Sequence, residues 1–270
     1  MGLTRRPLLL LAVLAAATGP AAAATKLLVT VVESKSGAPV TGLKAEDFTV
    51  LDDKTPRQVE AAEFSRDTLD LMLLLDTSLA GGLVQPVAEN FVAQIQPKEQ
   101  MAVVAYHSAA DLIQDFTSSR ELIMRSISKV KYGNQPRVLD ALYAALDGGF
   151  QNTVFRRAIL LLTSGLEGNS RTDERDVIRL ARRNQVSIYP VYAVGGERGL
   201  FEQLARQTGG ASFNLRDMKK ASNDAPGPRV FDVARAHYTL TLSGNLDVGE
   251  KLKIEVKPAP KAQVSALPLE

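Results

Sequence analysis

The chain contains no cysteine among its 270 residues. This absence excludes disulfide bonds, a thiol nucleophile, a thiolate metal site and a lipid anchor on an N-terminal cysteine. A chain without disulfides must be held together by its hydrophobic core. With 45% hydrophobic residues, this chain is long enough to form one good core, or one domain with a small companion.

The residue sets of common catalytic sites are also missing. The sequence has no G-x-S-x-G nucleophile motif, no G-x-x-x-x-G-K phosphate loop and no dinucleotide-binding glycine pattern. Its only histidines, His107 and His237, are far apart. Ser108 follows His107, but neighbours within a strand point to opposite faces. We therefore predict that the protein is not an enzyme, and the remaining enzymatic hypothesis is a hydrolase that uses Ser108 or Ser164.

Neither sign of charge dominates the sequence, which has 32 basic and 30 acidic residues. The segment that ends at Ala24 holds two arginines and no acid, so 30 residues of each sign remain after it. A nearly neutral chain gives no indication that nucleic acid is a partner.

Residues 1–23 have the pattern of a signal peptide for export. Arg5 and Arg6 precede an apolar run from Leu8 to Ala17, and small residues suited to cleavage follow at 21–23. The apolar run is too short to span a bilayer comfortably, and no later segment resembles a membrane span. We expect no membrane anchor after cleavage, and a mature protein that is periplasmic or secreted.

The rest of the sequence divides into segments of two kinds. Residues 24–66 and 221–270 contain β-rich stretches such as "KLLVTVVE", "HYTLTLSG" and "KLKIEVKP", separated by glycine and proline turns. We predict that these two ends form one small antiparallel β domain, because isolated hairpins are only marginally stable. The alternative is a pair of unrelated β extensions. Residues 67–220 are predicted to form a separate α/β domain.

Within residues 67–220, strand-like and helical segments alternate. The continuous apolar runs "LDLMLLL", "MAVVAY", "AILLLT" and "VSIYPVYAV" are typical of strands buried on both faces of a parallel sheet. "DLIQDFT" is more polar, so we place it at a sheet edge. "SRELIMRSISKV" predicts a helix capped by Ser118 or Ser119. This alternation predicts a doubly wound, mostly parallel, Rossmann-like α/β sheet.

Polar residues stand where the first of these strands ends, in "LMLLLDTSLAGG". Asp76 and Ser78 directly follow the apolar run, and the loops after Tyr106, Lys131 and Thr163 reach the same edge. Ligands of open α/β sheets bind outside the carboxyl ends of the strands. We therefore expect the functional site at this edge.

Four segments together resemble a von Willebrand factor type A (VWFA) domain: "LLLDTSLA", "VVAYHSAADLIQDFT", "GNQPRVLDALYAAL" and "RRAILLLTSG". The flanking "GAPVTGLKAEDFTVLDDKTPRQVEAAEFS" and the closing β segments resemble an exported bacterial family of such domains, first catalogued in acidobacteria. The resemblance covers nearly the whole chain after the signal peptide. It implies a VWFA-type fold and a role in protein–protein interaction.

The resemblance also implies a metal ion-dependent adhesion site (MIDAS), built from an Asp-x-Ser-x-Ser loop, a threonine and a second aspartate. Asp76 and Ser78 match two of these five positions, whereas the others are Ala80, Pro136 and Ser164. Magnesium, the usual ion, prefers octahedral oxygen coordination with carboxylate charge. We predict that Asp76 and Ser78 are vestigial metal ligands that satisfy backbone groups, and that no cofactor binds.

Two functional hypotheses follow from the resemblance. The first is an exported, non-enzymatic protein-binding or scaffold module whose metal site is lost, and whose loops recognise a protein partner through shape and hydrogen bonds. The alternative is a divalent-metal-dependent adhesion module with a non-standard Mg²⁺ site. The predicted partner-binding residues are Tyr132, Asn134, Gln135, Ser164, Leu166, Glu167 and Asn169.

Overall fold

The computed structural model describes residues 24–34, 36–221, 225–244 and 252–269, so the predicted signal peptide lies outside the described residues. The strands are β1 (Thr25–Val32), β2 (Phe48–Asp52), β3 (Thr55–Arg57), β4 (Val59–Arg66), β5 (Leu69–Asp76), β6 (Gln100–Tyr106), β7 (Ala110–Thr117), β8 (Arg156–Thr163), β9 (Val186–Tyr192), β10 (Phe213–Asn214), β11 (Ala236–Leu242), β12 (Leu252–Val256) and β13 (Gln263–Leu269). The α-helices are α1 (Gln85–Val92), α2 (Arg120–Ile127), α3 (Val138–Leu146), α4 (Glu174–Arg183), α5 (Arg198–Gln207), α6 (Leu215–Ala221) and α7 (Pro226–Arg235). Short 3-10 helices lie at Ala45–Asp47 and Gly81–Leu83.

A six-stranded sheet in the order β10-β9-β8-β5-β6-β7 forms the centre of the α/β domain. Its strands are parallel except β7, which runs antiparallel to β6. Every residue of β5 is buried, because this strand lies in the middle of the sheet between two layers of helices. Edge strand β7 has no buried residue. These features confirm the predicted doubly wound, mostly parallel α/β fold.

Helices cover both faces of this sheet. On one face, Phe91 of α1 and Phe231 of α7 meet edge to face with their ring centres 5.8 Å apart. On the other face, Leu142 of α3 and Phe201 of α5 belong to a second buried cluster. Helix α2 begins after Ser119, whose hydroxyl accepts a hydrogen bond from a backbone amide of the first turn, as predicted. None of the described helices combines the length and the apolar character needed to cross a membrane.

The two ends of the chain form a β sandwich. One sheet has the order β13-β1-β11-β4, and the other has the order β12-β2-β3. Strand β1 pairs antiparallel with both β11 and β13, which joins the beginning of the described chain to its end. The predicted β domain shared by the two ends is therefore confirmed.

Strand β1 also attaches the sandwich to the α/β domain. Leu27 and Val29 point into the sandwich core, whereas Val32 packs into the core of the α/β domain. Thr30 donates a hydrogen bond of 2.8 Å to the carbonyl of Gly209, at the end of α5. A side chain on Gly209 would lie 2.8 Å from Leu267 of β13, so glycine permits this close contact. Because β1 packs against both the sandwich core and the α/β domain, residues on both of its faces are buried.

Candidate binding site at the carboxyl edge of the sheet

Asp76 closes β5 at the carboxyl edge of the sheet and is completely buried. Its Oδ1 accepts a hydrogen bond from the backbone amide of Ser78 at 2.9 Å, and its Oδ2 accepts one from the amide of Ser164 at 2.8 Å. The chain then turns back so closely that a side chain at Gly81 would lie 2.2 Å from the Asp76 carbonyl oxygen. Both carboxylate oxygens are thus engaged in holding the loops around the strand end.

Three loops meet at this edge: the first loop (residues 77–84), the second loop (128–137) and the third loop (164–173). The amide of Leu79 donates to the carbonyl of Asn134 at 3.1 Å, and the amide of Gly133 donates to the carbonyl of Thr77 at 3.0 Å. These bonds join the first loop to the second. Asp76 joins the first loop to the third through Ser164.

Glu167 joins the third loop to the second by capping helix α3. Its Oε2 accepts from the backbone amide of Val138 at 2.9 Å, and its Oε1 accepts from the amide of Ser170 at 2.7 Å. The Ser170 hydroxyl accepts from the amide of Leu139 at 3.1 Å. Arg137, the residue before the helix, gives no side-chain cap, so the neighbouring loop satisfies the free amides of this helix terminus.

Asp140, in the first turn of α3, makes a second contact with the third loop. Its Oδ1 accepts from the backbone amides of Arg171 and Thr172, each at 2.9 Å. Although partial burial raises the pKa of Asp140, hydrogen bonds from Thr172 and Arg171 and the positive charge of Arg137 outweigh it and lower this pKa. The third loop and the start of α3, which directly follows the second loop, are therefore fastened to each other in both directions by carboxylates.

Two buried hydroxyl groups at this edge, those of Ser78 and Ser164, have no hydrogen-bond partner in the described part of the chain, and the buried Tyr106 hydroxyl faces the side chain of Thr163. Burial, and then the negative charge of Asp76, raise the pKa of Tyr106 well above its usual value, so this phenol stays protonated. Buried polar groups of this kind are commonly satisfied by ordered water.

The donors around Asp76 are a poor match to magnesium. Of the two side chains that match the implied MIDAS, Asp76 has both oxygens bonded to backbone amides, and Ser78 supplies a hydroxyl. Ala80 and Pro136 carry no side-chain oxygen, and Ser164 brings no charge. Within the described residues, no group of three or more histidines and acids is placed to hold a metal. Magnesium sites normally need more oxygen ligands and more carboxylate charge than this.

The structure places most of the predicted partner-binding residues on the outside of the three loops. Tyr132 and Leu166 are exposed by 37% and 44%. The exposed polar members are Asn134, Gln135 and Asn169, and Glu167 is half-buried because its carboxylate caps α3. Ser164 is completely buried, so its side chain does not contribute to this surface.

Two apolar residues of the first loop were missed in the sequence analysis. Leu79 and Leu83 expose 80% and 62% of their surface. A large apolar residue within a turn rich in glycine and serine, as in "DTSLAGGL", is the signal that could have identified them. With Tyr132 and Leu166, they give the three loops an exposed apolar surface, which we call the loop surface.

His107 and Ser108 lie in the turn after β6, not within a strand. The expectation that they point apart was therefore wrong, because β6 ends at Tyr106. The His107 Nδ1 accepts from the Ser108 amide at 2.6 Å and lies 3.0 Å from its hydroxyl. No carboxylate orients His107 among the contacts of the described residues, so a base–orienter pair is not assembled here.

No family model matches the chain, and no curated protein matches it. Among solved structures, proximal thread matrix protein 1 from the mussel byssus, with a zinc-occupied MIDAS motif, aligns with a TM-score of 0.54 and 17% identity over 68% of this chain and 50% of that chain. A second structure of that mussel protein aligns with a TM-score of 0.54 and 19% sequence identity, over 68% of this chain and 51% of that chain. The VWA domain of SpRpn10 aligns with a TM-score of 0.41 and 13% sequence identity, over 61% of this chain and 94% of that chain.

The chain spans about half the length of the mussel protein that it matches. At this level of identity the likeness establishes the fold. The α/β domain therefore has the VWFA fold, as the sequence resemblance implied.

Proposed function

We propose that this protein is an exported, non-enzymatic binding module, and that its three loops recognise a protein partner without a metal ion. The observation that carries the proposal is that protein hydrogen bonds alone link every pair of the three loops. Asp76 links the first and third loops, the Gly168 amide links the third loop to the second through the Pro136 carbonyl at 2.6 Å, and the Leu79–Asn134 bond links the first and second. A divalent ion is not needed to assemble this surface.

The absence of an assembled catalytic set supports a binding role. The buried hydroxyls of Ser78 and Ser164 face no histidine in the hydrogen bonds of the described residues, and His107 lacks an orienting acid. The loop surface instead offers exposed apolar side chains, which are typical of interaction sites when several of them lie together. Export rests on the signal-peptide pattern of residues 1–23.

A metal-dependent module is the second candidate, and one observation favours it. The unpartnered hydroxyls of Ser78 and Ser164 stand near the buried Asp76 carboxylate, and the mussel structure of the same fold carries zinc in its MIDAS motif. Coordination of an ion would satisfy these hydroxyls. The two candidates differ in their response to divalent ions.

A thermal melt distinguishes them. The chain from residue 24, stripped with chelator, is heated with and without millimolar Mg²⁺, Mn²⁺ or Zn²⁺. A ligand that binds only the folded state raises the midpoint. We expect no shift with any ion, in the wild type or in Asp76→Ala. A rise that Asp76→Ala abolishes would establish the metal-dependent module and reject metal-independent assembly.

A further inference from the structure

The loop surface concentrates exposed apolar side chains at one end of the molecule. Nine large hydrophobic residues are exposed in the described part of the chain, and four of them, Leu79, Leu83, Tyr132 and Leu166, lie on or beside the three loops. The Tyr132 hydroxyl donates to the Oε1 of Gln85 at 2.9 Å, which holds the tyrosine beside the end of the first loop. A partner that covers this surface must itself present bulky apolar side chains.

Basic residues accompany these apolar side chains. Residues 122–139, which include the second loop, contain Arg125, Lys129, Lys131 and Arg137 and no acidic residue. Arg125 pairs with Glu121 on the exposed face of α2. Lys129 and Lys131 are exposed and form no ion pair within the described residues. The second loop therefore offers positive charge that no described residue neutralises.

Three acidic groups near these loops are engaged in hydrogen bonds within the protein. Asp76 is completely buried, and Glu167 and Asp140 accept backbone hydrogen bonds at the junction of the second and third loops. Four exposed acids also stand at this edge: Glu89 of α1, Asp111 of β7, Asp173 at the end of the third loop, and Glu197, which follows Gly196 beside Leu166. The first loop carries no charged residue at positions 77–84. Acids therefore stand on the neighbouring segments, whereas the solvent-facing charge of the second loop, beside Tyr132, is positive.

We infer that the partner presents an acidic segment that also carries large apolar side chains. This inference rests on the function proposed above and adds the chemistry of the partner. Leu79, Leu83 and Leu166 supply apolar contact, and Lys129 and Lys131 attract carboxylates. The exposed amide side chains of Asn134, Gln135 and Asn169 need directional hydrogen-bond partners, which a polypeptide supplies and the acyl chains of a lipid surface do not.

A display library of random peptides, panned on the chain from residue 24, tests this chemistry and requires no purified partner. We expect the selected peptides to be enriched in Asp and Glu together with Leu, Ile or Phe. Their affinity, measured by fluorescence polarisation, should fall about tenfold in Leu79→Ser, about 1.4 kcal/mol, since this variant removes the apolar contact of a leucine side chain. It should also fall in Lys131→Glu and weaken as salt is added.

Matched controls lie at the opposite end of the sheet. Val154, exposed by 79%, precedes β8, and the exposed Lys98 precedes β6. Val154→Ser and Lys98→Glu should leave the affinity of the selected peptides unchanged. Equal losses in these controls would show that the effect does not come from the loop surface and would overturn the inference.

The possible outcomes separate the inference from the proposed function. Neutral or basic peptides that lose affinity in Leu79→Ser would overturn the acidic partner but leave a protein-binding loop surface. No enrichment on wild type relative to the double variant Leu79→Ser/Leu83→Ser would reject both. Binding to phosphatidylglycerol vesicles in place of peptides would reject a polypeptide partner in favour of an anionic membrane.

Discussion

Two buried aspartates near opposite ends of β5 have the same hydrogen-bonding chemistry. Asp70, near the amino end, is exposed by 1%, and its Oδ2 accepts from the backbone amides of Val154 and Phe155 at 2.9 and 2.7 Å. Asp76, at the carboxyl end, accepts from the amides of Ser78 and Ser164. A buried aspartate at this sheet therefore fastens neighbouring segments at either end, and the carboxyl end is the one where the sequence resemblance implies a MIDAS.

The two ends differ in what surrounds the carboxylate. Asp70 holds a single segment, in which Val154 is the exposed apolar residue. Asp76 holds two loops together, beneath the loop surface and beside the unpartnered hydroxyls of Ser78 and Ser164. A buried aspartate alone therefore does not distinguish a structural position from a ligand site. The surrounding hydroxyls and the exposed surface carry that distinction.

The largest effect expected is on stability, from removal of either carboxylate. Asp76→Ala leaves two buried amides without acceptors and should lower the free energy of unfolding by about 3 kcal/mol, because each unsatisfied buried group costs about 1–3 kcal/mol. Asp70→Ala should cost less, about 1–2 kcal/mol, since its amide donors are only partly buried and water can reach them. Urea denaturation in chelator measures both.

The replacement of each aspartate by asparagine is the companion experiment. Asparagine keeps one acceptor oxygen, so each Asn variant should retain part of the stability that the corresponding Ala variant loses. An Asp76→Ala variant as stable as wild type would break the parallel with Asp70. It would mean that the buried charge at position 76 costs as much as its hydrogen bonds contribute, as expected of a carboxylate retained for a ligand.

A smaller effect is expected from Glu167, at the carboxyl end of the sheet. Glu167→Ala removes the cap from the first amides of α3 and should cost about 1–2 kcal/mol, the usual value of an N-terminal cap. Glu167→Gln keeps an acceptor and should cost less than half of that. Chemical denaturation measures both, and Glu63→Ala, at an exposed position of edge strand β4, serves as the surface control.

Loss of stability in Glu167→Ala should be accompanied by faster hydrogen exchange of the Val138 and Leu139 amides. Unchanged exchange there would contradict the capping role, and with it the link between the second and third loops. Faster exchange confined to these loops would support that link.

The sequence was a good guide to the centre of the α/β domain, and the reason is physical. Strand β5 is buried on both faces, so its apolar character is continuous and needs no tertiary information. Strand β13 was missed because "QVSALPL" lacks a clear alternation and contains a proline. The structure places it at the edge of its sheet, where Pro268 stands opposite Leu27 and an edge strand tolerates proline.

The candidate site could be predicted only in part, because only some of its residues are positioned by local sequence. Asp76 and Ser78 follow an apolar strand directly, so their position at the sheet edge could be derived from local sequence. The cap that Glu167 provides to α3 joins residues 29 positions apart, and no local pattern records it. The exposure of Leu79 likewise depends on how the first loop turns back at Gly81. These features arise from tertiary contacts between loops.

The smallest effect expected is a pH dependence confined to the amino end of the sheet. There the buried His237 lies 3.4 Å from Asp67, which also faces Arg156 at 3.7 Å. Burial, and next the charge of Arg156, lower the pKa of His237 below its usual value of 6.5, and Asp67 opposes this only in part. The folded state thus binds fewer protons than the unfolded state, so stability is present above pH 6.5 and is lost as the pH falls through the folded pKa.

Urea denaturation between about pH 5 and 8 measures this dependence, whose slope cannot exceed about 1.4 kcal/mol per pH unit for one group. His237→Gln should reduce the dependence of the unfolding free energy on pH below the pKa of histidine in the unfolded chain. His107→Gln, in the turn after β6, should show the same pH dependence as wild type. If instead His107→Gln flattened the slope, the carboxyl end would be the pH-sensitive one. At the carboxyl end the loops are held by hydrogen bonds from backbone amides, so we expect no pH-sensitive histidine there. The experiment therefore tests whether the pH dependence belongs to the amino end alone.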